Sequence, residues 1–579
     1  MPVQNRVSVK KHSAPRLDFL ARNKKPLLFL ALLLYLYFRG IGDHGLFDPL
    51  EGVNASIPLT MLARGGYFIP RVGDSLCAGK ALGTWWLSSF SLSVFGWTEF
   101  AVRFWPALAG LGMALAAVLA VGGQRRAWLT ASVSASMVLG FAVSQIASSH
   151  ALYACCTGFA MAAFIRVGRL LPEVGESPLA RREERRWILL AHAASLAAFI
   201  VHGPEGIILP WLTLLSFSIL TRRFGVLRAC LTWWPAVAVS ALGTVGCLLL
   251  QWLENPVLLR FLFFESPKFL APSGKLVLAF LLMGTVPWPG FLLRAAWEAV
   301  PRTRAALLAR DEVNSGFFMV FWAFLFAFFA LLMGDPLALA ASVPALAALT
   351  GGALDRWLEA EPPDAADPAQ VSPVQIAVAV NILILVPVLI AGLPLLLRAF
   401  PFLRGAMLSL VPWAIFTVIF LFATWHYARS RRDPAAWPRQ MEKLARNGAA
   451  VALLCLMPLA GVFDLAAEQG SIRDIGLTLR GAVGRDDTVI QYAVNRPSLY
   501  FYILHSYTLV NSPQLSGVAS KGLIRSDTAL HNAWARKERA FLLIPQKQQP
   551  LSPLPEDVYN IMEANGMLLL SNRPGLDVP

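Results

Sequence analysis

The sequence predicts a polytopic α-helical membrane protein with a C-terminal α/β domain. Three observations carry this. Hydrophobic residues make up 56% of the chain and charged residues only 15%, and the mean hydropathy is +0.57, outside the range of ordinary soluble domains. Apolar runs close to the roughly 20 residues that cross a bilayer recur as far as Ala467. From about Glu468 the composition changes to short strand-like and helix-like runs separated by polar turns. The net charge of +15 does not point to nucleic acid. The arginines gather in short segments between apolar runs, as in cytoplasmic membrane loops.

In chain order, residues 1–25 read as a basic cytoplasmic tail, with Lys10, Lys11, Lys24 and Lys25 among its cations. No small-residue cleavage site follows the next apolar run, so the first helix, Pro26 to Phe38, reads as retained. The tail then places the loop 40–99 outside. Within that loop Thr84 to Trp97 suits a helix lying at the interface. Further spans are expected at Phe100 to Gly123, Trp128 to Ile146, Ala151 to Ile165, Trp187 to Val201, Ile207 to Leu220, Ala229 to Trp252 and Leu276 to Leu293. Five more follow, at Phe317 to Gly334, Leu337 to Leu354, Gln375 to Leu397, Gly405 to Phe422 and Gly448 to Ala467. The total is about thirteen transmembrane helices on the 20-residue rule. The Arg-rich short loops then fall on one side, with Arg398 and Arg404 the exception. External segments are the loops 40–99 and 254–275 and the turns at Ser148-Ser149-His150, His202-Gly203-Pro204 and Asp335-Pro336.

An odd number of spans puts residues 468–579 outside, in the periplasm of a Gram-negative cell. Strands are expected at Thr488 to Ala493, Tyr500 to Leu504, Tyr507 to Val510, Ala540 to Ile544 and Met567 to Leu570. Helices are expected at Ile472 to Val483 and Glu556 to Asn565. The six cysteines show no CxxC spacing and read as small core residues.

Several local patterns, taken in order, resemble one family. Leu46 to Pro70 resembles a motif with an acidic pair, a helix and a Gly-Asp-Trp-x-x-Pro turn. Gly79-Lys80-Ala81 with Trp85-Trp86 resembles Glu-Lys-Pro followed by Tyr-Trp. Phe100 to Phe104 with Pro106, His202-Gly203-Pro204-Glu205-Gly206, Asn255-Pro256 with Arg260, Val286-Pro287-Trp288, Val343-Pro344 and Pro497 to Tyr502 match later features. The whole resembles the bacterial aminoarabinose transferase and protein O-mannosyltransferase family, integral-membrane glycosyltransferases of the C-type fold. The sequence departs from that pattern at several points, among them Val53-Asn54 and Ser56 in place of the family's Arg-Tyr and following glutamate. Leu50 stands where the family's leading aspartate is expected, Gly79 replaces a glutamate, and no acidic residue lies between Glu99 and Glu173.

The resemblance implies transfer of a sugar from a polyprenyl-phosphate carrier to an envelope acceptor (lipid A, another glycan or a protein) at the bacterial inner membrane. No cofactor or metal is implied. Membrane lipids are partners and nucleic acid is not. A hydroxyl acceptor needs a base within hydrogen-bond reach, and the departing phosphate needs cations. Glu51 holds the motif position for the base and Asp48 is the nearest alternative. Both also fit a helix N-cap or a solvated loop. Lys80 is the leading phosphate ligand, with a snorkelling lysine as its plain alternative. Arg103, Arg260 and Lys268 are further phosphate candidates. Arg103 also has the spacing for an ion pair with Glu99, four residues away. His202 reads as a polar helix end. Two rivals to the enzyme remain: a catalytically degenerate member that binds a lipid-linked sugar or partner enzyme, and a transporter. The transporter is disfavoured by the scarcity of ionisable residues in the spans.

Overall fold

A computed structural model describes residues 24–77, 82–122, 127–254, 280–301, 315–359, 373–387, 437–462 and 470–575, less short gaps, together with isolated positions between them. Within these residues six helices are long and apolar enough to cross a membrane: Glu99–Val121, His150–Leu170, Trp234–Glu254, Ser315–Met333, Leu337–Glu359 and Ala445–Val462. A seventh span is a bent pair, Ala127–Ser136 and Val138–Ser144, which meet at 68°. The expected span from Trp128 to Ile146 is therefore broken. Met137 is extended (φ −67°, ψ 123°), and the Val138 N–H finds the Val286 carbonyl at 3.2 Å instead of its own helix.

Pro26–Phe38 and Glu205–Thr221 are apolar but shorter. Pro178–His202 starts with a charged turn, Arg181 to Arg186, that precedes its apolar part. The expected spans at 276–293, 375–397 and 405–422 fall partly or wholly outside the described residues.

Small residues let the spans approach closely, as expected where lipid supplies no hydrophobic drive between helices. Helix Glu99–Val121 buries Ala109, Gly110, Ala116, Ala117 and Ala120. A Cβ at Gly110 would sit 2.3 Å from the Tyr37 ring. Thr98 starts this helix as its N-cap by accepting the Ala101 N–H at 3.3 Å.

The C-terminal segment forms a mixed sheet of six strands in the order β6-β4-β3-β7-β9-β8. These are β3 (Thr488–Tyr492), β4 (Tyr507–Val510), β6 (Leu523–Ile524), β7 (Ala540–Pro545), β8 (Tyr559–Ala564) and β9 (Met567–Ser571). β3 runs parallel to β4 and β7, while β9 runs antiparallel to β7 and β8.

Two expectations are corrected here. The expected helix Glu556 to Asn565 instead holds strand β8, Tyr559–Ala564. Asn565 (φ 53°) and Gly566 (φ 71°) close a two-residue hairpin into β9, the conformation that Asn-Gly favours. Tyr500 to Leu504 is not a strand, because Ser498–Ile503 is a helix whose preceding residue, Pro497, already has helical angles (φ −60°, ψ −25°).

The first loop and the C-terminal segment share one core. Leu46, Ala55, Leu92 and Val102 pack with Ile475, Leu499, Phe501 and Phe541. A second sheet ties them as well: β1 (Arg71–Val72), β2 (Ser75–Cys77) and β5 (Val518–Ala519) are joined antiparallel in that order.

Candidate functional site

The first loop carries helix Leu50–Arg64, and that helix is buried along most of its length. Two carboxylates at its start are committed to different partners. Glu51 faces Arg103, and neither side chain is exposed to solvent. The pair is bidentate, with Arg103 Nε donating to Oε1 at 2.8 Å and Nη2 to Oε2 at 2.6 Å. Arg103 also donates to the carbonyls of Ile41 at 2.9 Å, His44 at 2.8 Å and Gly45 at 2.9 Å. All five guanidinium N–H groups are therefore spent on protein. Glu51 in turn accepts the N–H groups of Phe47 at 2.9 Å and Ala147 at 2.6 Å. Burial opposes its ionisation, but the Arg103 charge and hydrogen bonds overcome this and hold it below the usual carboxylate range.

These contacts correct two expectations. Arg103 has no N–H left for a lipid phosphate, and it does not pair with Glu99. Glu99 instead meets Arg473 at 3.1 Å and the Tyr502 hydroxyl at 3.2 Å. The i,i+4 spacing misled because a tertiary partner from the C-terminal segment took Glu99. Glu51, with both oxygens occupied in a sealed pocket, lacks the access to an acceptor that a base requires.

Asp48 is half-buried. It accepts the Ser498 N–H at 2.9 Å and a short hydrogen bond from the Ser498 hydroxyl. It thus caps the N-terminus of helix Ser498–Ile503 from another part of the chain, where the helix dipole favours a carboxylate. Burial pushes its carboxyl up to about 6, although Arg496 and the Ser498 hydrogen bonds pull the other way.

The Gly52 Cα packs against this contact. An added Cβ would lie 2.0 Å from Asp48 Oδ1 and 2.5 Å from the Ser498 backbone nitrogen. Gly52→Ala is expected to destabilise the junction by about 1–3 kcal/mol through overpacking. A lowered unfolding midpoint in detergent with unchanged helix content is the readout. An unchanged midpoint would remove the tight packing assigned here.

Lys80, Arg260 and Lys268 lie outside the described residues.

A third polar cluster adjoins the first. The segment that gives its Ala147 N–H to Glu51 continues through Ser148 and Ser149 to His150. His150 Nε2 lies 3.0 Å from Asp335 Oδ2, and its Nδ1 lies 3.3 Å from the Ser148 hydroxyl. His202 Nδ1 lies 2.9 Å from the Ser149 hydroxyl. The two imidazoles meet edge to face with centroids 5.2 Å apart, and Tyr153 stacks on His202 at 4.3 Å. Asp335 is oriented by the Leu337 and Ala338 N–H groups, at 3.0 and 3.3 Å from Oδ1.

No protein-family model matches the chain. Among curated proteins, an undecaprenyl phosphate-alpha-4-amino-4-deoxy-L-arabinose arabinosyl transferase of Sodalis glossinidius is 28% identical over 279 residues. That match covers 44% of this chain and 46% of the relative. The corresponding protein of Aeromonas salmonicida is 26% identical over 293 residues, 47% of this chain and 50% of the relative. The chain thus spans about half the length of the curated relatives it matches. The fold likeness is longer. The crystal structure of ArnT from Cupriavidus metallidurans in the apo state superposes with a TM-score of 0.73 at 20% identity, over 96% of this chain and 100% of that one. That likeness shows the fold: this chain has the fold of the ArnT structure. The same ArnT bound to undecaprenyl phosphate gives a TM-score of 0.68 over 96% of this chain and 99% of that one.

The His150–His202–Asp335 cluster is what sequence reasoning missed. A signal was present. Each residue sits in one of the three short turns that the span count places on the same side, next to Ser, Gly or Pro. Nothing in the sequence says that those turns touch, because they are separated by 52 and 133 residues. Their meeting is a consequence of how the spans pack.

Proposed function

We propose that this chain is a glycosyltransferase that takes a sugar from a polyprenyl-phosphate carrier and passes it to an envelope acceptor at the outer face of the bacterial inner membrane. The observation that carries this is the sequence match to curated undecaprenyl-phosphate aminoarabinose transferases. The C-type fold extends it along nearly the whole chain. In this reading residues 1–25 form a cytoplasmic tail and residues 26–467 the membrane transferase domain. Residues 468–579 form a periplasmic domain docked on the first loop.

The geometry narrows the roles. Glu51 and Arg103 hold the first loop, the span start and the Ala147 turn in one arrangement. Asp48 is the half-buried carboxylate of the two, and burial pushes its carboxyl up to about 6, toward the range in which a base for an acceptor hydroxyl works. Lys80 lies just before the buried, aromatic helix Leu82–Phe95. It is assigned to the donor phosphate as a point charge, with Arg260 and Lys268 from the second external loop as further cations. A groove among the spans would hold the polyprenyl tail, and keeping both substrates at one interface supplies proximity.

The test is transfer in inverted and right-side-out membrane vesicles supplied with a pool of polyprenyl-phosphate sugars. Wild type is expected to transfer sugar, and Lys80→Ala to lose at least about tenfold in rate by losing one charge-assisted contact. No transfer by wild type from any donor in the pool would remove the enzymatic reading and leave the degenerate, binding-only member.

A further inference from the structure

Three of the helices that meet at the His150 cluster enclose a cavity at their other ends, which the proposed transfer does not use. Its walls are Phe164 and Ile165 of helix His150–Leu170, Leu214 and Phe217 of helix Glu205–Thr221, and Phe318 of helix Ser315–Met333. Ser218, Arg223 and Val226 complete it. We propose that this cavity binds one anionic phospholipid, with part of an acyl chain against the aromatic walls and the phosphate against Arg223.

The position follows from the helices. His150 and Glu205 begin two of them and Asp335 follows the third. Phe164, Ser218 and Phe318 lie roughly 20–25 Å along the helices from those residues, at 1.5 Å per residue. That is most of a hydrocarbon core about 30 Å thick, so the cavity lies toward the membrane face opposite the first loop. The adjoining segment 221–232 carries Arg222, Arg223 and Arg228 and no acidic residue. Trp234 follows it and is 74% exposed. Arginines beside an exposed tryptophan mark the level of the headgroups.

The turn after helix Glu205–Thr221 places Arg223 on the cavity. Arg222 is left-handed (φ 56°, ψ 31°), a conformation that glycine adopts more readily. The Arg223 N–H then returns to the Ser218 carbonyl at 3.0 Å, as in the bonds that close a helix C-terminus. The result leaves Arg222 exposed and Arg223 half-buried. The Ser218 hydroxyl donates to the Leu214 carbonyl of its own helix at 2.7 Å. Among the described lining residues Arg223 alone is charged, and a guanidinium fork matches the oxygens of a phosphate.

The short helix Gly225–Thr232 forms the remaining edge. An added Cβ at Gly225 would lie 3.1 Å from Leu171 Cδ1, so this helix sits close against the end of helix His150–Leu170. It supplies Val226 to the cavity, while Phe224 and Leu231 stay exposed, the pattern of a helix lying in the membrane interface. Charge and shape select the occupant. Arg222 and Arg228 add to the field of Arg223 and favour a lipid of net negative charge over a zwitterionic one. A small anion without a chain would leave the aromatic walls unfilled.

The experiment uses the full-length chain, delipidated in detergent and read by native mass spectrometry. The probes are dioleoyl phosphatidylglycerol, dioleoyl phosphatidylcholine, undecaprenyl phosphate and inorganic phosphate. Wild type is expected to hold one phosphatidylglycerol per chain and to bind phosphatidylcholine at least about tenfold more weakly. Arg223→Gln should weaken phosphatidylglycerol binding about tenfold, by loss of a hydrogen bond to a charged group. Arg185→Gln removes an exposed arginine that does not line the cavity and should leave binding unchanged.

Val226→Phe keeps the guanidinium and fills the cavity. It should also weaken phosphatidylglycerol binding, a result that stands even if Arg223→Gln fails to insert. Equal binding of the two phospholipids, or binding indifferent to Arg223→Gln or to Val226→Phe, would overturn the site. Displacement of phosphatidylglycerol by inorganic phosphate would reduce it to an anion contact and overturn it too. Preferential binding of undecaprenyl phosphate would give the cavity to a polyprenyl carrier instead of a phospholipid. None of these readouts depends on sugar transfer.

Discussion

Arg103→Met is expected to lower the stability of the folded chain by about 3–5 kcal/mol, the usual result of leaving one buried ion without its partner. The loss should appear as a lower denaturant midpoint in detergent and as less folded protein in the membrane. Glu51→Leu should cost a similar amount, because it strands the guanidinium. The informative variant is the double replacement. A simple buried pair can often be exchanged for apolar residues at little cost. Here the exchange would also orphan the carbonyls of Ile41, His44 and Gly45 and the N–H groups of Phe47 and Ala147. Each unpaired buried backbone group costs about 1–3 kcal/mol. The double variant should therefore stay well below wild type. Recovery to within about 1 kcal/mol would show that the pair contributes only its mutual attraction. The pH sign follows from Glu51. Its carboxyl is held below the ordinary value of 4.5. The stability it contributes is therefore present above that value and is lost as pH falls through the folded one.

The particular residues show what could be read in advance. Glu99–Val121 and Ser315–Met333 were visible as spans because a lipid-facing helix must be apolar along its length, and that is a local property. Strands β3, β4, β7 and β9 were visible for the same kind of reason, as short β-branched or apolar runs between polar turns. The failures are non-local or turn on one residue. The run Tyr500 to Leu504 has strand-like composition, but Pro497 and the cap from Asp48, 450 residues earlier, make it helical.

Asn565-Gly566 carried a hairpin signal that the amphipathic look of the preceding run masked. The break at Met137 needs a carbonyl from Val286 to satisfy the freed N–H, so it could not be seen in the run Trp128 to Ile146. The candidate site shows the same division. Asp48, Glu51 and Arg103 were found by type and position, but which pairs with which was decided by packing. Arg103 passed over Glu99 on its own helix for Glu51, 52 residues earlier in the chain. His150, His202 and Asp335 were each noticed as turn residues and never as a set.

Asp48→Asn is expected to lower the rate of sugar transfer to a hydroxyl acceptor by about 100- to 10,000-fold, the range for losing a positioned general base, while the chain still folds. The amide keeps an oxygen for the Ser498 N–H, so the helix cap survives. The wild-type pH profile should separate catalysis from structure. A base works ionised, so kcat/KM should rise with pH and level off above about 6, where the Asp48 carboxyl titrates. Stability should move the other way. A carboxyl raised from its ordinary value of 3.8 to about 6 favours the fold when protonated. That contribution is complete below the ordinary value and is lost as pH rises through about 6. Ser498→Ala adds a second arm. The Ser498 hydroxyl donates to the carboxylate and so favours its charged form. Removing it should move the midpoint of the rate profile to higher pH. A residue that only held helix Ser498–Ile503 in place would alter the unfolding midpoint and leave the rate midpoint where it was. A flat profile between pH 5 and 7 (a window of about one unit each side of the Asp48 value), or an Asp48→Asn protein that transfers at the wild-type rate, would take the base away from Asp48.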